Sequence, residues 1–388
     1  MYSYSPSGLP NSRIDVADVL RGIAIGGIVL IHFVEHMNFY MFPEPTAIDR
    51  AVWDTLFFLL AGKMYAIFAL LFGLSLYIQH DNQAQRGVDF RPRFVWRMVL
   101  LMMFGLVDLC FYNGDILFLY AVCGLVVLPL VRLSSRALRW IAAVLLLQPV
   151  ELVYMILGLS DESLRPLSLG SGAHFAAIMP AQIDGSLIDV AAAGIEHGLP
   201  CNFLWAIEHG RMTQTLLLFV VGILIGRSRL FYDEGDNLRK WRAILVSSAA
   251  AFALLYPLSE RLPEVIDNVC VAHSARVMLS MWRNLSMMFI IVSGVVLLFY
   301  LTRARRVLMA IAPYGKMSLT NYIGQSVIGG MLFYGWGFGL YRYSGHTMSL
   351  LLGMAVVVLQ CMFCRWWLAH HKRGLLEQLW HRATWIGR

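Results

Sequence analysis

Chemistry-capable side chains stand in sequence that is otherwise apolar. The N-terminal run RIDVADVLRGIAIGGIVLIHFVEHMNFY places Asp15, Asp18 and Arg21 ahead of His32, Glu35 and His36. On a helix the eleven residues from Arg21 to His32 make about three turns, or ~16 Å, so both lie near one face. A histidine can take a hydroxyl proton, and an arginine can grip a phosphate through two nitrogens. Gly22, Gly26 and Gly27 between them allow another helix or a thin ligand to approach the backbone. His32, Glu35 and His36 also match the inverted zincin pattern H-x-x-E-H, but the match ends a hydrophobic run and lacks an evident third ligand, so no metal is expected. The same residues could equally be a helix end reaching wet headgroups.

Other ionisable or amide groups recur in apolar surroundings, where each needs a partner or a purpose. AGKMYAIFALLFGLSLYIQ carries Lys63, either an interfacial anchor or a charge that holds an anionic group. YNGDILFLYAV carries Asp115, which could cap its helix or act chemically, and Tyr120; Asp108 lies just upstream. YGKMSLTNYIGQSV spaces Ser318, Asn321 and Gln325 along one helical face, as polar glue or as hydrogen-bond donors. His174, Glu196-His197, Glu208-His209, His273 and His346 fall in loops and read as solvated.

The elements that position these groups must be membrane helices. Of 388 residues 59% are hydrophobic and only 14% charged, and mean hydropathy is +0.64. A soluble chain carries about 25% charged residues, so soluble enzymes, disulfide scaffolds, disordered chains and nucleic-acid binders are excluded. Ten apolar stretches approach the ~20 residues that cross a bilayer: 17-39, 56-79, 96-112, 115-131, 138-158, 212-226, 243-258, 284-302, 317-335 and 347-368. The expected fold is an all-α polytopic membrane helix bundle of about ten transmembrane helices. With the N-terminus inside, 21 of 31 Lys and Arg fall on the inner side, seven on the outer side and three within spans. Both termini are therefore read as cytoplasmic, and the net charge of +7 is mostly a topology signal. The chain is read as one integral membrane domain, 1-388, with cytoplasmic segments 1-16 and 369-388 and larger outside loops 159-211 and 259-283. The first span, long and containing Arg21 and His32, is read as retained rather than cleaved. Cys361 and Cys364 read as packing residues, whereas Cys201 and Cys270 share the outside face and leave a disulfide open.

The segments RIDVADVLRGIAIGGIVLIHF, KMYAIFALLFGLSLYIQ, NGDILFLYAV and APYGKMSLTNYIGQSVIGGMLFYGWGFGLY occur in an order that resembles the YeiB-like family of bacterial multi-pass membrane proteins. That family is similar to the transmembrane acyltransferases, including the lysosomal heparan glucosaminide acetyltransferase and the bacterial O-acyltransferases that modify envelope sugars. The resemblance lies in Leu20, Arg21 and Gly22 opening a helix with His32 near its outer end, spaced like the catalytic histidine of the envelope enzymes. YeiB-like members often carry Asn near that position, a departure that places His32 closer to the acyltransferases. The resemblance implies acyl transfer at a bacterial inner membrane. Such a reaction needs a base, for which His32 and His36 are the candidates with Asp115 beside them. It also needs an oxyanion donor, for which Asn321, Gln325, Lys63 and Tyr120 are candidates. Acyl-coenzyme A would be the donor substrate, its phosphates held by Arg21 with Arg97 or Lys316 and with Ser318 nearby. Membrane lipids and a small-molecule or glycan acceptor are the expected partners, and a homodimer is compatible with the reading. The rival is a transporter or flippase whose path Asp115, Lys63 and Arg21 would line.

Overall fold

The computed structural model describes residues 11, 13–35, 39 and 43–385. His36 lies outside them. Among the described residues every regular element is helical. In chain order the α-helices are α1 (Asp15–Glu35), α2 (Ala47–Leu59), α3 (Met64–Ala84), α4 (Arg91–Leu109), α5 (Leu117–Val127), α6 (Ser135–Leu146), α7 (Pro149–Ser160), α8 (Ser171–Asp184) and α9 (Leu187–Ala193). They continue with α10 (Leu199–Glu208), α11 (Arg211–Arg227), α12 (Asn237–Arg261), α13 (Val269–Leu301), α14 (Arg305–Leu308), α15 (Ala312–Lys316), α16 (Ser318–Phe333), α17 (His346–His370) and α18 (Leu375–Thr384).

The protein is a multi-pass membrane protein. Among the described residues five helical stretches are long and apolar enough to cross a bilayer: α1, α2 with α3, α12 with the turn after it, α13 and α17. Counting the bent pairs α6/α7 and α9–α10/α11 as one span each gives seven. The sequence stretches 96-112, 115-131 and 317-335 fold as α4, α5 and α16, which fall outside that set. α4 opens on Arg91, Arg93 and Arg97; α5 is 11 residues long and runs into a 3₁₀ turn at Leu128–Arg132, and α16 has 16 residues.

α1 is the central post. It packs against α3, α15, α16 and α17, and 72% of its apolar stretch is buried, against 6% for α12, which turns its surface outward and rests on α13. Small residues set the closest crossings. A Cβ on Gly73 would collide with the backbone of Phe219, and one on Gly222 with the carbonyl of Leu70, so α3 and α11 meet backbone to backbone. Gly315 does the same for α15 against Asp18 of α1.

Two expectations are refined. The stretch 56-79 is broken at residues 60–63, where Gly62 takes φ +77°. α2 starts at a capping box between Thr46 and Asp49, and Asp49 also accepts from the Thr347 backbone N–H at 2.8 Å, tying α2 to the start of α17. The regions read as outside loops are largely helical: 159-211 holds α8, α9 and α10, and 259-283 is crossed by most of α13's first half. Partners hold the polar residues at the start and middle of α13. Asn268 caps it by accepting from Val271 N–H at 3.0 Å, and Arg283 pairs with Glu260 and donates to Ser259 at 3.0 Å.

Candidate functional site

Two cavities open along α1, one beside His32 and one beside Arg21. The first measures about 1100 Å³. His32 and Glu35 of α1, Lys63 and Tyr65 at the α2–α3 break, Asn113 to Ile116 before α5, residues of α8 and α10, Arg211, and Arg283 with Asn284 line it. The His32 Nδ1 lies 3.1 Å from the Gln325 amide nitrogen, and that amide also reaches Ser326 Oγ at 3.0 Å. The His32 ring sits against Tyr112, centroids 4.7 Å apart, and edge-on to Tyr322 at 6.2 Å. A half-buried imidazole, oriented by an amide and walled by aromatic rings, has the surroundings a positioned base requires.

The second cavity, about 290 Å³, is lined by Arg13, Arg21, Arg97 and Lys316, with Asp18, Ser75, Ser318, Tyr120 and Trp380. Arg21 pairs with Asp18 at 2.9 Å and donates to Ser75 Oγ at 2.7 Å. Arg97 lies over the Trp380 ring at 4.2 Å, so the tail helix α18 forms part of the wall. Four cations against one lining carboxylate leave this pocket with an excess of positive charge.

Tyr322 of α16 lines both cavities. Its hydroxyl accepts from Ile116 N–H at 3.1 Å and donates to the Gly114 carbonyl at 3.4 Å, fixing the ring between them. Tyr120 reinforces the partition by donating to the Tyr65 carbonyl at 2.6 Å.

The structure thus brings His32, Lys63 and Asp115 to one cavity and Arg21, Ser318 and Tyr120 to the other, with Gln325 behind His32. Asp115 caps α5, accepting from Leu117 and Phe118 N–H at 3.0 and 2.9 Å, while lining the wall. Lys63 donates to the Phe57 carbonyl at 3.1 Å. Asn321 lies elsewhere. Its amide donates to the Tyr314 carbonyl at 3.0 Å and contacts Cys364 at 3.2 Å inside a helix junction, so it is polar glue rather than a cavity donor. Cys201 and Cys270 are separate thiols, directed to the Ser171 and Tyr154 carbonyls. Tyr322, Arg211 and Asn284 carry no mark in the sequence analysis. The spacing of Tyr322, four residues after Ser318 and three before Gln325, was the available signal.

A bundle built this way defines a polytopic membrane protein with two polar cavities that share one wall. Residues 13–170 match the catalytic family model of heparan-alpha-glucosaminide N-acetyltransferase, and residues 225–387 match the model described as protein of unknown function DUF418. The chain is 27% identical to uncharacterized protein YxaH of Bacillus subtilis, covering 100% of this chain and 97% of that one. It is 28% identical to uncharacterized protein YeiB of Escherichia coli, covering 95% of each. Together these matches support a YeiB-like family related to the transmembrane acyltransferases. His32, Lys63 and Asp115 come from the acetyltransferase-like part, Tyr322 and Gln325 from the other, and the cavities require both.

Proposed function

We propose that the protein is a bacterial inner-membrane acyltransferase. It moves an acetyl-like group from cytoplasmic acyl-coenzyme A to a hydroxyl of an envelope sugar or lipid. The observation that carries this reading is the pair of cavities sharing Tyr322, one with an oriented histidine and one with clustered cations. The match of residues 13–170 to an acetyltransferase family supports it. In this reading the bundle has ten spans and both termini face the cytoplasm, so the Arg21 cavity opens toward the donor. Arg21, Arg97 and Lys316 hold its phosphates, a donor set suited to a polyanion. His32 takes the proton of the acceptor hydroxyl as its oxygen attacks the thioester carbonyl. The C–O bond forms, the C–S bond breaks, and His32 returns the proton to the departing thiolate. The Gln325 amide nitrogen faces Nδ1; the step uses the amide turned over, its oxygen accepting from Nδ1–H, so that the accepting nitrogen is Nε2.

The test is mass spectrometry of envelope glycans and lipids from cells with the intact gene, a deletion and His32→Ala. A mass difference of one acyl group that follows His32 is expected. No difference while the protein is present in the membrane would overturn the reading and turn the same two cavities into mouths of a transport path.

A further inference from the structure

We infer that the larger cavity receives its acceptor by an oxyanion, a phosphate or carboxylate held between Lys63 and Arg211. This rests on the acyl-transfer reading and names the class of acceptor.

The argument starts at the α2–α3 break. Gly62 adopts φ +77°, and a Cβ there would stand 2.6 Å from the Asn284 amide nitrogen and 3.3 Å from Arg211 Nη1. The positive φ favours glycine for the turn, the space it leaves is taken by the Asn284 amide, and the turn delivers Lys63 beside Arg211 and Asn284. Lys63 is 4% exposed, and among the described residues its only hydrogen bond goes to a neutral carbonyl. Arg211 is held over the Tyr65 ring at 4.5 Å and near Trp205 at 5.5 Å, while its Nε and Nη1 are buried without a hydrogen-bond partner among the described residues. Neither cation makes an ion pair among the described residues, although four carboxylates line the same cavity. Those four are otherwise placed. Glu260 pairs with Arg283, Asp115 caps α5, Asp54 is exposed, and Glu35 ends α1. A buried lysine beside a half-buried arginine with two buried, unpartnered nitrogens is unfavourable unless an anion joins them. The aromatic faces and the carbonyl supply too little to replace one. An oxyanion entering between them accepts from Lys63 Nζ and from the unpartnered Arg211 nitrogens, and a hydroxyl on the same molecule then extends along the cavity toward His32.

Purified protein in phosphatidylcholine nanodiscs, titrated by calorimetry, tests this. The soluble anionic probes are glycerol 3-phosphate and gluconate, with glycerol as the neutral control; discs doped with phosphatidylglycerol supply the same chemistry from a lipid. Both classes of anion should bind at least ~10-fold tighter than glycerol. Preference for the doped discs would place the oxyanion on a lipid headgroup, and preference for the soluble probes on a sugar or polyol. Lys63→Gln and Arg211→Gln should each weaken binding by ~10-fold or more. Asn284→Asp, which keeps the side-chain volume and adds a carboxylate, should do the same, and it serves if either Gln variant fails to fold. His32→Ala should bind as wild type. Equal binding of anionic and neutral probes, or wild-type affinity in folded Asn284→Asp, overturns the inference. Loss of acyl transfer with anion binding intact would sink only the transfer reading.

Discussion

Two side chains carry the sharpest expectations. His32→Ala should lower acyl transfer by about 10²–10⁴-fold, the usual contribution of a positioned acid–base group, with little change in thermal midpoint because the ring is half-exposed to a cavity. Turnover in proteoliposomes against melting in the same detergent checks both halves. Gln325 acts through His32, so Gln325→Leu should reduce kcat more than it changes the acceptor KM and should displace the pH profile of kcat; an unchanged profile with lowered stability would mark it as packing alone. At Tyr322 the test is structural. Tyr322→Phe keeps the ring but leaves Ile116 N–H without its acceptor at 3.1 Å, which should destabilise by about 1–3 kcal/mol. His32, Lys63 and Arg21 were legible because charge in apolar sequence is conspicuous. Tyr322 was not, since a tyrosine in an apolar helix has the composition of packing, and its place between two cavities is a matter of tertiary contact.

Among the elements, the α3–α11 crossing depends on backbone contact. Gly222→Ala places a methyl against the Leu70 carbonyl and should destabilise by about 1–3 kcal/mol, the usual range for overpacking. Thermal unfolding of purified protein measures it, and a neutral result would mean the helices separate without consequence. A pH effect belongs to the turn before α4. Hydrogen bonds from Arg91 hold Asp89 near pKa 2, with the charges of Arg91 and Arg132 adding to them. The folded pKa is depressed, so the stabilisation is present above the ordinary value of 3.8 and disappears as pH falls toward 2. The side chains are about two-fifths exposed, so the difference between wild type and Asp89→Asn should stay within about 1 kcal/mol at neutral pH and vanish near pH 2. Helix existence was legible from apolar runs, whereas their breaks and extensions were not. The kink at Gly62 sits within continuous hydrophobicity, and α13 begins at Val269 rather than 284 because Arg283 finds Glu260 on α12, a pairing between segments that no local pattern reveals.

For the molecule as a whole, orientation links the charge count to the chemistry. In the ten-span reading the cavity with Arg13, Arg21, Arg97 and Lys316 lies on the side that carries most of the Lys and Arg. If that side is cytoplasmic, clustered cations meet the compartment that holds acyl-coenzyme A, and the His32 cavity meets the envelope. Exposed residues in two turns test this. Ser163 follows α7 and Ser228 follows α11, and the ten-span reading puts them on opposite sides. In a background where the six native cysteines are replaced, Ser163→Cys should react with a membrane-impermeant maleimide in intact spheroplasts. Ser228→Cys should react only after permeabilisation. The reverse pattern would turn the basic cavity away from the cytoplasm and defeat the donor assignment, whatever the activity of His32. Labelling of both from one side would remove a span between them, most directly the bent α9–α10/α11 pair with its 77° break, and would recast α8 to α10 as a cover over the His32 cavity on the same face as Ser228.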